Sequence, residues 1–503
     1  MSKPKKRLWI LFLATAAVAF LLSMLANSIM NRKAESKFAY APQVVVGENE
    51  PRNNIWGENF PRQYQSFLQT VDTSFVSYQN GNNQTDMLDK DPNLVVLWAG
   101  YGFSKDYNSP RGHQYAVEDL QNSLRTGGPT ESGQGPMPAT CWTCKSPDIP
   151  RLMNEMGIDE FYKGKWFDKG TQVNNAIGCA DCHNPKTMSL RITRPALVEA
   201  FESMGKDDNQ ASHQEMRSLV CAQCHVEYYF NKKIPGKEGI PYLVFPWKNG
   251  LSVEDAEKYY DEMDFADWTH KISKAPMLKA QHPGYELYQT GIHAKRGVSC
   301  ADCHMPYKTE GGQKFTDHHI RSPLDNVTNS CQVCHRQDKE DLVGDVYERQ
   351  KKIKSNVEVL EQQLVLLHVE AGKAWELGAS QEAMEDILMD VRHAQWRWDY
   401  AVASHGGSFH APVEVSRIVA SAIHIAQNGR LKLARLLSSL GYNELVELPD
   451  ISTKAKAQEY IGLDMDKLEK EKDYFKENII PQWLEEAKQR ESKMGVKTVS
   501  LND

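Results

Sequence analysis

The stretch ATCWTCK, residues 139–145, places two cysteines two residues apart and follows the second with a lysine. Four further C-x-x-C pairs occur in the chain, and each of them is followed by a histidine. The five pairs use all ten cysteines of the sequence and are Cys141/Cys144, Cys179/Cys182, Cys221/Cys224, Cys300/Cys303 and Cys331/Cys334. No cysteine is left for another purpose, so these pairs decide how the chain is organised.

The motif C-x-x-C-H is the attachment signature of c-type haem. Its two thiols bond to the porphyrin, and the adjacent histidine reaches the iron as an axial ligand. These histidines are His183, His225, His304 and His335, and the fifth pair has Lys145 in their place. Zinc ribbons and thioredoxin-like sites also use C-x-x-C, but they do not require a histidine directly after it. The sequence therefore predicts five covalently bound c-type haems that transfer electrons.

Lys145 occupies the position of an axial ligand. An amine binds iron when burial keeps it deprotonated, and lysine pKa values shift readily in such places. A haem with a different ligand from its four neighbours is the natural place for chemistry. The alternative is that Lys145 is a surface residue and that this haem takes its ligand from elsewhere.

Haems that only carry electrons need a second axial ligand. The histidines outside the motifs are the candidates, and they are His113, His213, His270, His282, His293, His318, His319, His368, His393, His405, His410 and His424. Spacing alone does not choose among them. A single histidine is more often a hydrogen-bonded core or surface residue than a ligand.

The N-terminus predicts export from the cytoplasm. Four basic residues within the first seven precede the uncharged, mostly apolar run Leu8–Ala26. A cleaved signal has an apolar core of about 7 to 15 residues, whereas about 20 span a bilayer, so the length favours a retained anchor. Residues 1–33 are therefore predicted to be an export signal or an N-terminal membrane anchor.

The composition excludes two classes of protein. Charged residues make up 25% and aromatic residues 9% of the 503 residues, which is ordinary for a globular chain and argues against disorder. The net charge is -7, and no lysine-rich run occurs outside the N-terminus, so a nucleic-acid-binding surface is not expected.

Two regions of different character follow the leader. Between residues 34 and 340, glycine, proline and haem motifs interrupt the chain, so short helices and loops around the porphyrins are expected. Residues 341–503 carry apolar residues at helical spacing in three segments: Ile353, Val357, Leu360, Leu364, Leu367 and Ala371; Met384, Ile387, Val391, Ala394 and Trp398; and, after Pro412, Val415, Ile418, Ala422 and Ile423. Such stripes are more often intramolecular core than partner surface. The predicted fold class is mainly α, a multihaem c-type cytochrome with a loop-rich haem-binding region and long C-terminal helices.

Several motifs together closely resemble the pentahaem cytochrome c nitrite reductases, the ammonia-forming family. They are the single CWTCK, the four C-x-x-C-H sites in this order, RGH at 111–113, CAQCHVEYY at 221–229 and KAQHP at 279–283. The resemblance runs from about Leu94 to Pro412. Each motif alone would be weak, but the set is specific.

The resemblance implies roles for individual residues. Lys145 would be the proximal ligand of the catalytic haem, whose distal face is open to nitrite. The residues that match the distal pocket are Arg111, Tyr228 and His282. Those that match the structural calcium site are Glu227, the carbonyl groups of Tyr228 and Lys279, and the side chain of Gln281. Those that match the distal haem ligands are His113, His293, His318 and His410, with His319 directly beside His318.

The implied reaction makes these roles chemically sensible. Nitrite reduction to ammonium consumes six electrons and eight protons. Arg111 and a protonated His282 would attract the anion and stabilise the departing oxygens. His282 and Tyr228 would donate protons. Calcium would hold the residues around His282 in place.

Two other functions stay open at the level of sequence. A non-catalytic multihaem electron carrier would be expected to have histidine after every C-x-x-C pair and no open iron, so Lys145 argues against it. A related multihaem reductase of hydroxylamine or sulfite shares the same haem chemistry and is not distinguished by the motifs.

The resemblance also implies partners and a compartment. It implies a homodimer formed through the long C-terminal helices, with seam residues such as Leu360 and Leu364 in the interface. The implied electron donor is a quinol-oxidising membrane multihaem cytochrome or a soluble cytochrome. The protein is expected in the periplasm, attached to the inner membrane where the N-terminal helix is uncleaved.

Overall fold

The computed structural model describes residues 3–39, 42–79 and 81–499. Residues 1 and 2 of the predicted leader, residues 40, 41 and 80 of the predicted haem-binding region, and residues 500–503 at the C-terminus lie outside the described residues. Within the described part of the chain the fold is mainly α, and every strand belongs to a two-stranded antiparallel pair. The predicted fold class is therefore confirmed.

The apolar N-terminal run forms one helix, α1, which spans Lys3–Ala39. Pro4 is tolerated there because the first turn of a helix has no intrahelical partner for its backbone N–H groups. The part Pro4–Lys33 is long and apolar enough to cross a membrane, and it is not buried against the rest of the chain. An apolar N-terminal helix is thus present, as expected for a signal sequence or an anchor.

Short helices joined by loops follow α1, as the frequent glycine and proline residues predict. They are α2 (Asn53–Asn59), α3 (Pro61–Leu68), α4 (Met87–Lys90), α5 (Asn93–Leu97), α6 (Ala116–Asn122), α7 (Asp148–Met156), α8 (Ile158–Tyr162), α9 (Cys179–Cys182), α10 (Pro195–Ser203), α11 (His213–Ala222), α12 (Val253–Glu262), α13 (Gly284–Thr290), α14 (Ile292–Lys295), α15 (Cys300–His304) and α16 (Val327–Ser330). Several of them begin or end at a cysteine motif.

Four small antiparallel strand pairs connect segments of the described chain. They are β1 (Val44–Val45) with β8 (Lys497–Thr498), β2 (Tyr229–Asn231) with β3 (Tyr242–Val244), β4 (Trp268–Thr269) with β5 (Pro276–Met277), and β6 (Tyr307–Glu310) with β7 (Gln313–Thr316). The pair β2–β3 matters most for the candidate site, because β2 starts directly after Tyr228 and fixes the backbone there.

Long helices form the C-terminal part, as the apolar periodicity predicts. They are α17 (Lys339–Glu376), α18 (Gln381–Ala403) and α20 (Pro412–Ser439), with the short α19 (Gly407–His410) before α20 and with α21 (Lys454–Tyr460), α22 (Met465–Tyr474) and α23 (Ile480–Ser492) after it. Helix α20 packs against both α17 and α18. Their apolar stripes form the main core cluster, which also includes residues of α5, Met277 at the end of β5, and Leu278 directly after it.

The seam of α17 is internal rather than a partner surface. Leu360 and Leu364 are fully buried within the single chain, each with 0% exposure. The expectation that these two leucines form a dimer interface is therefore wrong, because the chain's own helices already cover them. For these two leucines the apolar stripe is intramolecular core, the more common role of such a stripe.

We expect Leu360→Glu to unfold the helical region rather than to produce folded monomers. A carboxylate at this position would lose its hydration without gaining a partner, which costs roughly 4 kcal/mol or more of unfolding free energy. The matched control is Val359→Glu on the same helix, because Val359 is 47% exposed and should change stability by less than about 0.5 kcal/mol. Thermal unfolding followed by circular dichroism measures both, and equal melting temperatures would contradict the prediction.

Candidate active site

One cavity of about 1850 Å³ runs through the loop-rich region. Its lining includes all ten cysteines of the five pairs, together with Lys145 and the four motif histidines. Residues beyond position 340 also line it, among them His405, His410 and Lys472. The motifs that are scattered over nearly 200 residues of sequence therefore face one shared space.

The backbone of the lysine motif differs from that of the histidine motifs. In three of the latter, the amide of the histidine donates to the carbonyl of the first cysteine at 2.9 Å, as in an α-turn; these are His183 to Cys179, His225 to Cys221, and His335 to Cys331. The fourth, Cys300–His304, lies within helix α15. Lys145 instead donates to the carbonyl of Trp142, three residues back, at 2.9 Å. The turn that ends in lysine is thus tighter by one residue.

Each of the four motif histidines has a second histidine ring close to it at the cavity. Their ring centroids are 6.2 Å apart for His113 and His225, 6.3 Å for His183 and His318, 6.2 Å for His293 and His335, and 6.2 Å for His304 and His410. A metal ion held by two opposite imidazoles, at about 2 Å from each nitrogen, places the ring centroids roughly 6 Å apart. Each pair therefore fits one iron between its two rings.

Backbone carbonyls orient several of these rings. Nδ1 lies 2.9 Å from the carbonyl oxygen of Met188 in His183, 2.9 Å from that of Arg321 in His304, and 2.8 Å from that of Thr316 in His318. A ring that donates from Nδ1 presents Nε2 to a metal, which is the usual arrangement of a ligating histidine. Burial lowers the pKa of His318 to about 4, so this ring is neutral and able to bind iron.

Tyr228 and His282 also meet at the cavity. Their ring centroids are 6.3 Å apart, and both residues line the same space as Lys145. Burial raises the pKa of Tyr228 well above its ordinary value. Burial lowers the pKa of His282 well below 6.5. Burial thus disfavours the protonated form of His282 when no anion is bound, and a protonated His282 during turnover stays a prediction.

Arg111 lines the same cavity, and its positive charge is paired with two carboxylates. Its Nε donates to Asp119 at 2.7 Å and its Nη2 donates to Glu118 at 2.8 Å. The guanidinium also lies 3.8 Å from the ring centroid of Tyr115. Two carboxylates hold the arginine in place and reduce the positive charge that an approaching anion would meet.

The residues predicted to hold calcium form one cluster. The carboxylate of Glu227 accepts from the backbone amide of Gln281 at 2.6 Å and from the hydroxyl of Tyr260 at 2.9 Å. The side-chain amide of Gln281 lies 3.3 Å from the carbonyl oxygen of Lys279. Within the described ranges no three His, Cys, Asp or Glu side chains gather around a possible metal ion, and this cluster contains a single carboxylate.

The donor set of this cluster suits calcium. Calcium accepts carboxylate, carbonyl and amide oxygens together, so one carboxylate beside two carbonyls is compatible with it. Burial raises the pKa of Glu227 well above its usual range, and a cation at this carboxylate would counter that shift. Gln281 would have to present its side-chain oxygen rather than its nitrogen, a choice between two nearly identical orientations.

Two residues near the site had no distinctive signal in the sequence. His405, which was only one of many candidate axial ligands, has its ring centroid 6.2 Å from that of His282. Asp399 of helix α18 accepts from Nζ of Lys279 at 2.7 Å and from the amide of Ala280 at 3.2 Å. This buried pair fastens the 279–282 segment to the long helices, a contact between positions 120 residues apart that spacing does not reveal.

A family model described as Cytochrome c552 matches residues 52–493 of this chain. The chain belongs to the cytochrome c552 family. Among the relatives, a cytochrome c-552 of Parabacteroides distasonis is 55% identical over 482 residues, which cover 96% of each chain. A cytochrome c-552 of Aliarcobacter butzleri is 46% identical over 504 residues, which cover 98% of this chain and 99% of the relative.

A solved structure agrees with this cytochrome c552 assignment. The catalytic subunit of cytochrome c nitrite reductase from Desulfovibrio desulfuricans, a structure with two calcium sites, superposes with a TM-score of 0.73 at 31% identity. The match covers 84% of this chain and 91% of that subunit. The family resemblance drawn from the motifs is thereby confirmed. Members of a c-type cytochrome family carry covalently attached haem, which accounts for the C-x-x-C-H motifs on the cavity wall.

Proposed function

We propose that this chain is a cytochrome c nitrite reductase that reduces nitrite to ammonium at a haem ligated by Lys145, with four further haems relaying electrons. One observation supports this most directly. Five attachment turns line one cavity, and four of them have histidine pairs whose ring centroids are 6.2 to 6.3 Å apart. The fifth carries Lys145, which lines the same cavity as Tyr228 and His282. A protein that only carries electrons would have no chemical need for lysine in place of histidine after one of its C-x-x-C pairs.

The residues that would hold the five haems divide into two sets. The ten cysteines would form the thioether bonds. The irons of four haems would lie between the pairs His113/His225, His183/His318, His293/His335 and His304/His410, and that of the fifth would be bound by Lys145. When bound, the haems would supply electron transfer and one open iron position for nitrite.

Tyr228 and His282 would supply protons. Conversion of nitrite into ammonium and two waters takes six electrons and eight protons, so each departing oxygen must leave as water. Because His282 is neutral when buried, it can accept a proton as the anion enters and donate it from one ring nitrogen. Tyr228 keeps its phenolic proton over the whole neutral range, since burial raises its pKa, and it can donate a hydrogen bond throughout.

Arg111 would orient the substrate rather than act as an unpaired charge. Arg111 donates from Nε to Asp119 and from Nη2 to Glu118, and these two bonds fix the plane of the guanidinium. Arginine has five N–H donors, so others remain for an anion. A pre-positioned donor of this kind loses little side-chain entropy when the substrate binds.

Calcium is the second cofactor of the proposal. We expect removal of calcium by EGTA to lower ammonium production by about 10- to 100-fold, because Gln281 directly precedes His282 and loss of a supporting ion would displace the ring. Added Ca²⁺ should restore activity and Mg²⁺ should not, since magnesium demands a tighter octahedral site.

A matched pair of variants tests the calcium ligand. Glu227→Gln should weaken calcium retention, measured by elemental analysis, whereas Glu238→Gln at an exposed position should not. Full activity in protein shown to contain no calcium would count against the ion.

The decisive test of the activity is steady-state production of ammonium from nitrite, with a reduced viologen dye as electron donor. Stoichiometric ammonium would support the proposal. Electron uptake without ammonium would favour the carrier, and turnover with hydroxylamine or sulfite but not with nitrite would favour the related reductases. The helix α1 supports export to the periplasm, with membrane association where the helix is uncleaved. The electron donor that the family resemblance implies is a quinol-oxidising membrane multihaem cytochrome or a soluble cytochrome. Intact mass of the exported protein would count the haems and show whether α1 is retained.

A further inference from the structure

Arg194 is a buried arginine that joins three haem-attachment turns. It is 1% exposed and makes several hydrogen bonds of 2.6 to 2.9 Å. It directly precedes Pro195, the first residue of α10, and has the extended backbone that a residue before proline favours. The start of α10 therefore fixes the backbone conformation of Arg194, independently of the contacts of its side chain.

Two of these bonds hold the backbone on both sides of Lys145. Nε donates to the carbonyl of Thr143 at 2.6 Å, and Nη2 donates to the carbonyl of Ser146 at 2.9 Å. Thr143 lies between the two cysteines of the lysine motif, and Ser146 directly follows the lysine. The planar guanidinium thus sets the position of the lysine Cα within the tighter turn described above.

The other contacts reach the two neighbouring motifs. Nη2 of Arg194 also donates to Asp181, which lies between Cys179 and Cys182, at 2.6 Å. Gln223, which lies between Cys221 and Cys224, accepts from the amide of Arg194 at 3.2 Å and donates to the carbonyl of Asp181 at 2.9 Å. One polar network therefore fixes the relative positions of three attachment turns.

A lysine ligand needs such support more than a histidine ligand does. An imidazole is a rigid ring, and carbonyls hold the rings of His183 and His304 through the nitrogen that faces away from the iron. A lysine has four flexible methylene groups and no second nitrogen to anchor. Its reach to the iron is defined only if its backbone is held firmly.

We propose that Arg194 is the positioning residue of the lysine-ligated haem: its guanidinium clamps the carbonyls on both sides of Lys145 and ties this turn to the two adjacent attachment turns. The inference rests on the proposed function, since it takes Lys145 as the iron ligand. Arg194 touches neither substrate nor the reacting atoms, so its role is to orient the ligand.

The chain contains a natural control for this role. Asp302 lies between Cys300 and Cys303 as Asp181 lies between its cysteines, and it accepts from Nη2 of Arg217 at 2.9 Å. Each aspartate also accepts from the amide before its own motif, Gly178 at 2.8 Å and Ser299 at 2.7 Å. The two arginine–aspartate pairs are alike, but the hydrogen bonds of Arg194 reach the carbonyls beside Lys145, whereas those of Arg217 go to Ser299, Tyr307 and Asp302.

The test compares Arg194→Lys with Arg217→Lys in the holoprotein, after intact mass has shown the same haem content as the wild type. Lysine keeps the charge, but its three N–H donors diverge from one nitrogen and do not reproduce the planar fork with which arginine bonds two carbonyls and a carboxylate. For Arg194→Lys we expect a changed high-spin ferric signal in electron paramagnetic resonance, a shifted reduction midpoint of that haem, and kcat at least about tenfold lower. Arg217→Lys should leave the high-spin signal and its midpoint unchanged.

The outcomes separate this inference from the proposed function. An Arg194→Lys protein with a wild-type high-spin signal and midpoint, and only a lower melting temperature, would overturn the positioning role. Equal spectral changes in both variants would overturn it as well. If Arg194→Lys fails to retain its haems, the neutral double variant Arg194→Met/Asp181→Asn, which leaves no unpaired charge, is measured instead by the same criteria. A wild-type protein without any high-spin haem would overturn the proposed function, and this inference with it.

Discussion

Lys145→Ala is expected to lower ammonium production from nitrite by at least about 10²-fold, the scale of losing a group that organises charge in the transition state. The cysteines of the motif are untouched, so the haem should remain attached. Without the amine, however, this turn offers the iron no ligand from the side that Lys145 occupies. The affected haem should then bind water or another side chain, and its high-spin ferric signal should change.

The measurement is the viologen-linked ammonium assay on protein whose intact mass shows the full haem content. Lys163→Ala is the matched control, because Lys163 lies on the surface in an exposed ion pair with Glu160 and should lose less than twofold. A Lys145→Ala protein with activity within twofold of the wild type and an unchanged spectrum would show that this haem takes its ligand from elsewhere.

His282→Asn is expected to lower kcat by about 10² to 10⁴-fold, the range for loss of a positioned proton donor. Asparagine is close to imidazole in size and can still donate a hydrogen bond, but it does not titrate. The change therefore removes proton transfer and keeps the shape of the pocket.

The pH dependence adds a second criterion for His282. Burial holds the pKa of His282 well below 6.5, so the neutral form predominates at neutral pH and protonation becomes easier as the pH falls. The wild-type rate should thus rise from alkaline towards mildly acidic pH, and this rise should flatten in His282→Asn. His424→Asn, at an exposed position on α20, should behave as the wild type. An unchanged pH profile in His282→Asn would assign proton delivery to another group.

Local patterns in the sequence were enough to predict much of this molecule. The C-x-x-C-H motif carries its own geometry within five residues, and the apolar spacing from Ile353 to Ala371 describes one face of α17. Both are properties of neighbouring residues. The family resemblance matched His318 to a haem ligand but left the adjacent His319 as an alternative, and the ring of His318 is the one that lies 6.3 Å from His183.

Features that depend on contacts between distant segments could not be predicted in this way. The partners of Arg111 lie on α6, and the carboxylate that binds Lys279 lies on α18. Arg194 belongs to no motif, yet it joins three of them. The internal burial of Leu360 could not be told from an interface by periodicity alone, because both arrangements hide the same face of the helix.

The cavity wall has a consequence for the order in which the protein matures. Burial raises the pKa of the thiols of Cys141, Cys179, Cys182 and Cys303 to about 12, and a thiol of such low acidity is a poor nucleophile. The wall of the cavity that holds these thiols comes from distant parts of the sequence, from Trp56 to Lys476, so it closes only when nearly the whole polypeptide is available to fold. We therefore expect the thioether bonds to form before this closure, on a chain that is still open, so that the loops pack around porphyrins that are already attached.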